Sequence, residues 1–273
     1  MLATIIVTHD SQQVLPRCIE SLRNQTAAVD KIILVDSGSR DNSYLDEYEH
    51  HGPVQVFKTG NIGFSAANNY GFQQIPSACR FIFFLNPDTF LEQGCISAAL
   101  ETMRQYPEAG LLTGKLYGFD TDTGEPSGRL DSTGIFRTWY GRWYDRGQGR
   151  ADTGKYDGLE CDIPAVCGAF MFCRRAALED AALKDNEIFD SDFFLYKEDI
   201  ELSLRLRKKG WRLLYQPLCI AWHGRGWKSS RRGIPKQIRE MAARNEVLLY
   251  TKHRSSYMLW AVIKLWLVRV FNI

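Results

Sequence analysis

Short apolar runs alternate with amphipathic segments over the first 115 residues of the chain. The apolar runs have the length of buried strands, whereas the segments between them repeat apolar residues at the i, i+3, i+4 and i+7 spacing of a helix. This alternation predicts an α/β fold in which a parallel sheet is covered by helices on both faces. The predicted strands span residues 2–8, 31–36, 54–58, 80–85 and 110–112, and the predicted helices begin near residues 15, 65 and 96.

Polar residues follow three of these predicted strands. Thr8 ends the first strand, Asp36 ends the second, and Asp88 comes three residues after the fourth. Ligands of open parallel sheets bind beyond the carboxyl ends of the strands. Polar residues end strands in many proteins, but three successive ends that carry a hydroxyl or a carboxylate favour a binding site at this edge.

Three carboxylates, Glu198, Asp199 and Glu201, come directly after the aromatic run at 193–196. The alternating leucines that follow are typical of a strand, but acids first, bases later and Gly210 beyond them suit the dipole of a helix. We predict a helix, because Asp199 then shares one packed side with the leucines. A carboxylate there needs a functional reason. The simpler interpretation is that the acids only cap the helix.

Residues 117–158 differ from the rest, since glycines are mixed with arginines, tryptophans and tyrosines. A loop of that length is uncommon unless it is functional, and arginines between aromatic rings either bind phosphate or form a surface flap. Further on, the pattern predicts regular structure at 163–172 broken at Gly168, a helix from Arg175, short strands at 211–215 and 219–222 leading to His223, and a helix at 235–253.

Composition excludes several classes of protein. A chain of 273 residues with 45% hydrophobic and 12% aromatic residues has ample material for a core. The net charge of +2 gives no reason to expect a nucleic-acid partner. Seven cysteines, none in a CxxC pair, indicate buried free thiols in a reducing compartment rather than a disulfide framework or a zinc site. The first residues do not have the pattern of a signal peptide.

The segment 257–271 is apolar and aromatic, interrupted only by Lys264 and Arg269. It is too short and too charged to span a bilayer, which takes about 20 apolar residues. One interpretation is an interfacial helix with Trp260 and Trp266 at the level of the lipid headgroups and the basic side chains reaching toward them. The other is a helix docked on the domain or on a second copy of the chain.

Common enzyme motifs are missing from the sequence. There is no GxGxxG after the first strand, no GxxxxGK[ST], no HExxH and no GxSxG. What remains is a set of carboxylates at strand ends, a histidine at the end of an apolar run, and the pair Glu198 and Asp199.

Taken together and in order, the polar signatures resemble those of inverting family-2 glycosyltransferases with the GT-A fold. They are most similar to the bacterial branch of rhamnosyltransferases and polysaccharide or O-antigen enzymes. The resemblance covers about residues 2–223 and implies a mixed, mainly parallel sheet flanked by helices. It rests on residues 5–8 (IIVT), 35–39 (VDSGS), 61–64 (NIGF), 85–88 (LNPD), 168–171 (GAFM) and 198–202 (EDIEL).

The resemblance also implies a role for each matching residue. Asp199, beside Glu198, would be the catalytic base, and Asp88 would hold a divalent metal, Mg²⁺ or Mn²⁺, with His223 as a further ligand. Asn86 stands where many relatives carry a second metal-binding carboxylate. The nucleotide-sugar pocket would comprise Thr8, Asp36, Ser37, Asn61, Gly63, Phe64, Asn68 and Asn86, with Gly168 and Trp222 on the acceptor side. Four basic residues would either contact a diphosphate or form a solvated basic face: Arg225, Lys228, Arg231 and Arg232.

We therefore expect a cytoplasmic enzyme, peripheral to the membrane if 257–271 meets lipid, that transfers a sugar from a nucleoside-diphosphate sugar such as dTDP-rhamnose. The acceptor would be a hydroxyl of a glycan or lipid-linked glycan in cell-surface polysaccharide synthesis. Residues 1–115 would bind the donor, 116–233 would form the acceptor and catalytic half, and 234–273 would form C-terminal helices that contact the membrane or a second copy. The alternatives are a catalytically silent scaffold that binds nucleotide sugars and a nucleotidyltransferase.

Overall fold

The sequence pattern folds into one mixed sheet with helices on both faces, as seen in a computed structural model that describes residues 1–49, 52–224 and 235–271. The strands are β1 Leu2–Thr8, β2 Lys31–Ser37, β3 Val54–Thr59, β4 Phe81–Leu85, β5 Thr89–Leu91, β6 Ala109–Asp120, β7 Glu125–Ser132, β8 Ile135–Arg137, β9 Trp143–Asp145, β10 Glu160–Cys161, β11 Phe170–Arg174 and β12 Arg212–His223. The helices are α1 Leu15–Arg23, α2 Gly63–Gln73, α3 Cys95–Gln105, α4 Arg175–Asp180, α5 Glu198–Lys208, α6 Lys236–Lys252 and α7 Met258–Phe271, with 3₁₀ turns at Ser43–Tyr48 and Lys184–Asn186.

The sheet has the order β10-β12-β6-β11-β4-β1-β2-β3, and β5 and β7 pair at its side with β12 and β6. Strands β3, β2, β1 and β4 are parallel, β11 is antiparallel to both of its neighbours, and β12 is parallel to β6. The predicted α/β fold with a mixed, mainly parallel sheet is therefore confirmed. Because Thr8 is in register with Asp36, the carboxyl ends of β1 and β2 meet at one edge.

Alternating side chains of each central strand enter two separate cores. In β1, Leu2 and Ile6 join the cluster that contains the apolar side of α1, whereas Ala3, Ile5 and Val7 join the cluster of α2 and α5. A strand buried on both faces has no polar alternation, which is why these runs are continuously apolar in the sequence.

The segment 117–158 is not a loop, and that prediction is wrong. β6 continues to Asp120 and pairs with β7, and β8 pairs with β9 in a second small sheet. The first five residues of β7 are exposed and only its last three are buried, so the period of two that identifies a strand is absent.

Two further boundaries differ from the prediction. The segments at 211–215 and 219–222 form one strand, β12, whose pairing with β6 shifts between Gln216 and Ile220. Pro217 lies in this irregularity, where a residue without an N–H is tolerated, and its presence suggested two strands. Of the region 163–172, only the part from Phe170 onward is strand.

Helices α6 and α7 pack on each other and on the domain. Trp260 turns inward and lies edge-on to Tyr140, with 4.9 Å between the ring centroids. Lys264 forms an ion pair with Glu246 of α6, and Arg269 pairs with Glu240 at 2.9 Å. Trp260, Lys264 and Arg269 thus make contacts within the chain, whereas Trp266 is exposed, and the interfacial position of this helix stays a prediction. In the described part of the chain, no helix has the length and apolarity needed to span a bilayer.

Candidate active site

A cavity of about 740 Å³ opens at the carboxyl ends of β1, β2 and β4. The turn before α5 and the end of β12 complete its walls. Fourteen of the site residues predicted from the sequence lie in the described part of the chain. Eleven of these line the cavity, namely Thr8, Ser37, Asn61, Gly63, Phe64, Asn86, Asp88, Gly168, Glu198, Asp199 and His223. Asp36, Asn68 and Trp222 do not.

Asp36 is fully buried behind the cavity wall. Its carboxylate accepts hydrogen bonds from the Thr8 hydroxyl at 3.2 Å, from the backbone N–H of Ser39 at 3.0 Å and from the Tyr44 hydroxyl at 3.5 Å. Asp36, expected to form part of the nucleotide-sugar pocket, is therefore not among the residues that line the cavity. Asp36 instead orders the ends of β1 and β2, so that Thr8 and Ser37 face the cavity.

Asn68 and Trp222 are also directed elsewhere. The Asn68 amide donates to the carbonyl of Phe64 one turn earlier in α2, at 2.9 Å. Trp222 packs against the core, and its neighbour His223 points to the cavity, as expected for successive residues of a strand. The adjacent Asn69 has a role that the sequence did not reveal. Its side-chain Oδ1 accepts hydrogen bonds from the backbone N–H groups of Ile188 and Phe189, which connects α2 to the segment before α5.

Gly63 allows α2 to begin against the opposite wall. Its φ of +82° lies in the left-handed region, and a Cβ at this position would come within 2.5 Å of the Phe194 ring. The next residue, Phe64, donates its backbone N–H to the carbonyl of Phe194 at 2.8 Å. The close approach of these two segments therefore requires a glycine.

Asp88 and His223 meet at one end of the cavity, where His223 Nε2 lies 3.5 Å from Asp88 Oδ1. The other ring nitrogen, Nδ1, lies 2.8 Å from Asp131 Oδ2, and both His223 and Asp131 are buried. Burial lowers the pKa of His223, but the charge of Asp88 and the hydrogen bond to Asp131 outweigh it and raise the pKa to about 9. Sequence analysis missed Asp131, because the residue lies in the segment interpreted as a loop.

The donor set here fits a divalent metal that is shared with a substrate. Within residues 1–49, 52–224 and 235–271, no three His, Cys, Asp or Glu side chains form a group that could hold a metal ion. A carboxylate and an imidazole are nevertheless sufficient protein ligands where phosphate oxygens and water complete the coordination. Among the described residues, Asn86 Oδ1 is a buried oxygen without a hydrogen-bond partner at the same cavity, so a further acceptor is in place.

Asp199 lies in the first turn of α5 and lines the cavity. Its Oδ2 accepts the N–H of Gly168 at 3.0 Å, and its Oδ1 accepts the N–H of Ile200 at 2.7 Å. A Cβ on Gly168 would lie 3.4 Å from this carboxylate, in ordinary contact with it. The helix predicted here is confirmed, and its N-terminus favours the negative charge of Asp199.

Burial raises the pKa values of both Glu198 and Asp199. The pKa of Glu198 reaches about 8, because its carboxyl group is buried and lies beside the charge of Asp199. Two backbone N–H groups stabilise the charged form of Asp199, whereas Glu198 Oε2 has no hydrogen-bond partner in the described structure. The hydrogen bonds therefore favour the charged form at Asp199 and the proton at Glu198.

The basic residues Arg225, Lys228, Arg231 and Arg232, expected near a diphosphate, lie outside the described residues. Their role stays a prediction.

Comparison with known proteins agrees with this geometry. The chain matches the Glycosyl transferase family 2 over residues 4–181. It is 25% identical over 246 residues to the N-acetylglucosaminyl-diphospho-decaprenol L-rhamnosyltransferase of Mycobacterium tuberculosis, over 85% of this chain and 78% of that relative. It is 23% identical over 205 residues to the poly-beta-1,6-N-acetyl-D-glucosamine synthase of Staphylococcus aureus, over 70% of this chain and 42% of that relative.

The fold is similar to that of a mannosyltransferase, PcManGT from Pyrobaculum calidifontis, solved in complex with GDP-Man and Mn²⁺. The TM-score is 0.61 at 13% identity, and the match covers 97% of this chain and 69% of that one. Because the family match extends over more than half of the sequence, the protein belongs to glycosyl transferase family 2 and is a glycosyltransferase with the GT-A fold.

Proposed function

We propose that the protein is an inverting glycosyltransferase that moves one sugar from a nucleoside-diphosphate sugar to a hydroxyl group of a glycan or lipid-linked glycan. The observation that carries this proposal is the position of Asp199. Its carboxylate lines the same cavity as Asp88 and His223. A single displacement at an anomeric carbon requires a base next to the acceptor hydroxyl. It also requires groups elsewhere in the same cavity that hold the departing diphosphate, here through a metal.

In the proposed reaction, Asp199 accepts the proton of the acceptor hydroxyl while that oxygen attacks the anomeric carbon. A bond forms between the acceptor oxygen and the carbon, and the bond from the carbon to the diphosphate oxygen breaks with its electron pair. The nucleoside diphosphate leaves, and the configuration at the carbon inverts. Glu198, protonated near neutral pH, adds no second negative charge next to Asp199.

Asp88 and His223 would hold the divalent metal, with Asp131 fixing the orientation of the His223 ring. When bound, such a metal neutralises the negative charge that builds up on the departing diphosphate. The Mn²⁺ in the similar mannosyltransferase supports this assignment.

The relatives narrow the choice of substrates. The M. tuberculosis relative is named as an L-rhamnosyltransferase acting on N-acetylglucosaminyl-diphospho-decaprenol, and the S. aureus relative is named as the synthase of a polysaccharide. We propose dTDP-rhamnose as the first donor to test, a lipid-linked glycan as the acceptor, and cell-surface polysaccharide synthesis as the process.

We further propose that α7 contacts the cytoplasmic surface of a membrane. Its exposed apolar side chains share one face of the helix, at Leu259, Val262, Ile263, Trp266 and Val270. Residues 235–271 contain seven basic and two acidic side chains, which favours an anionic lipid surface. Sedimentation with vesicles that contain phosphatidylglycerol should carry the protein down, and Trp266→Glu should prevent this. A concentration-dependent dimer that the same substitution disrupts, without vesicle binding, would assign the face to a second copy instead.

Release of nucleoside diphosphate from a panel of UDP-, GDP- and dTDP-sugars, with a short glycan acceptor, tests the central proposal. We expect release from one donor with Mg²⁺ or Mn²⁺ and its loss in EDTA. If the protein binds a donor but releases no nucleoside diphosphate with any acceptor, it is a silent scaffold. Release of pyrophosphate would indicate a nucleotidyltransferase.

A further inference from the structure

The turn before α5 has an unusual backbone. Tyr196 and Lys197 have φ values of +74° and +76°, so two consecutive residues other than glycine occupy the left-handed region. Such residues are strained and persist only where the surrounding structure holds them. The turn leads directly into Glu198 and Asp199, and its residues Phe194, Leu195 and Tyr196 line the cavity.

The carbonyl groups of four consecutive residues show what holds this turn. The carbonyl of Phe193 accepts from the Ser65 hydroxyl, and that of Phe194 accepts from the N–H of Phe64, so α2 binds the first half. The carbonyls of Leu195 and Tyr196 both accept from one group, the side-chain amide of Asn245, at 2.8 and 2.9 Å. Asn245 is 8% exposed and lies in the middle of α6.

Helix α6 also holds the chain on either side of the turn. Lys252 Nζ lies 2.6 Å from carboxylate oxygens of both Asp190 and Asp192, before the turn. After the turn, Nε2 of His253, the residue that follows α6, lies 3.4 Å from Oε1 of Glu201, the acidic residue one turn into α5. Of these α6 contacts, only that of Asn245 is made to a residue with a left-handed backbone, Tyr196.

We propose that Asn245 is a positioning residue for the reaction, which fixes the left-handed turn at 194–197 and thereby the direction of the Asp199 carboxylate. This inference rests on the proposed function, because it assigns Asn245 to the placement of the catalytic base. Without its amide, two carbonyl groups lose their donors and the turn can relax to ordinary backbone angles. A displacement of about 1 Å at a reacting group costs on the order of 100-fold in rate.

The test compares Asn245→Ala with Thr251→Ala, a change at an exposed residue of the same helix that likewise removes one side-chain hydrogen-bond donor. Among the described residues, the Thr251 hydroxyl donates to the carbonyl of Val247 within α6. We expect Asn245→Ala to lower kcat by roughly 30- to 100-fold with less than a threefold change in the KM of the donor. Thr251→Ala should leave both within twofold. If the Asn245→Ala variant unfolds below the assay temperature, Asn245→Ser replaces it. Serine keeps one hydrogen-bond donor, so we expect a smaller decrease in kcat.

A double variant separates positioning from a general loss of structure. If Asn245 acts through Asp199, Asn245→Ala should cost less than threefold in kcat when Asp199 is already asparagine. An equal loss in both backgrounds, or a kcat for Asn245→Ala equal to that of Thr251→Ala, would overturn the inference.

Hydrogen exchange of the backbone amides tests the same claim without turnover. Asn245→Ala should accelerate exchange at 194–201 relative to both the wild type and Thr251→Ala. If the wild-type protein releases no nucleoside diphosphate from any donor, the proposed function fails, while this exchange measurement still decides whether Asn245 holds the turn. Unchanged exchange there would refute the positioning role.

Discussion

Two cavities at opposite edges of the sheet differ far less in size than in chemistry. The one at the carboxyl ends of β1, β2 and β4 has a volume of about 740 Å³. The other, about 580 Å³, lies where β1 and β4 begin and β11 ends, and Leu2, Phe81 and Arg174 line it. Size alone therefore does not distinguish an active site from a surface depression.

Their polar groups and backbone make the distinction. At the amino-end cavity, Arg174 donates to the carbonyls of Met103, Tyr106 and Ala109, and Asp30 accepts the N–H of Leu2. None of its described lining residues has a left-handed backbone. The carboxyl-end cavity contains two carboxyl groups with raised pKa values and lining residues with positive φ, at Asp10, Gly63 and Tyr196. Burial also lowers the pKa of Arg174 at the amino-end cavity, so the two cavities differ in having strained backbone and carboxyl groups with raised pKa values only at the carboxyl end.

The largest effect that should separate the two cavities comes from Asp199→Asn. The amide keeps the size of the side chain and removes the base, so kcat should fall about 10³-fold while the dissociation constant of the nucleoside diphosphate changes less than threefold. Steady-state release of nucleoside diphosphate and calorimetric binding measure the two quantities. A variant that keeps more than a tenth of the wild-type kcat would remove Asp199 from the role of base.

Gly63→Ala should be the next largest, and Gly124→Ala is its matched control. Both glycines have positive φ, but the added Cβ meets the Phe194 ring at Gly63 and has nothing within 4 Å at Gly124. Thermal unfolding should show a loss of about 1 kcal/mol in the free energy of unfolding for Gly124→Ala and about 3 kcal/mol for Gly63→Ala. Only Gly63→Ala should weaken donor binding. Equal losses of unfolding free energy in the two variants would mean that the Phe194 ring can move away from the added Cβ without destabilising the protein.

Glu198→Gln should change how stability depends on pH. An unfolded glutamate loses its proton near its ordinary pKa of 4.5, whereas folded Glu198 keeps the proton up to about 8. Unfolding therefore releases a proton between these values, and the free energy of unfolding falls as pH rises through them. Because glutamine mimics the neutral acid, the variant should match the wild type in Tm at pH 5 and exceed it by roughly 5 °C at pH 9. An exposed control, Glu101→Gln, should show no such divergence.

Arg104→Ala should have the smallest effect. Arg104 lines the amino-end cavity, is largely exposed and lies 3.9 Å from Glu101. We expect kcat and KM within twofold of the wild type and a change in unfolding free energy of about 0.5 kcal/mol or less. A tenfold loss of turnover would show that the amino-end cavity takes part in the reaction, and the distinction between the two edges would fail.

Local patterns in the sequence predicted much of this edge of the sheet. Continuous apolar runs identify β1, β2 and β4, because a strand buried on both faces carries apolar side chains in both directions. Thr8 could be selected because it ends such a strand, Asp88 because it follows one by three residues, and Asp199 because it follows an aromatic run. Residues joined to the site across long distances in sequence could not. Asp131 contacts His223 over 92 residues and Asn245 contacts Leu195 over 50 residues, and neither carries a local signal.

Asp36 shows a different kind of limit. Its position at a strand end was predicted correctly, but the direction of its carboxylate depends on Ser39 and Tyr44, which a bend of the chain brings back onto it. The sequence pattern predicts which residues reach the edge of the sheet, but the packing around them determines which of their atoms face the cavity.

The configuration of the product at the anomeric carbon tests the central claim most directly. With the donor that the panel identifies, the one-bond carbon–proton coupling of the product can be compared with that of the donor. A single displacement with Asp199 as base predicts the opposite configuration in every product molecule. Retained configuration would require a different mechanism, such as two successive displacements, and would contradict the role assigned to Asp199.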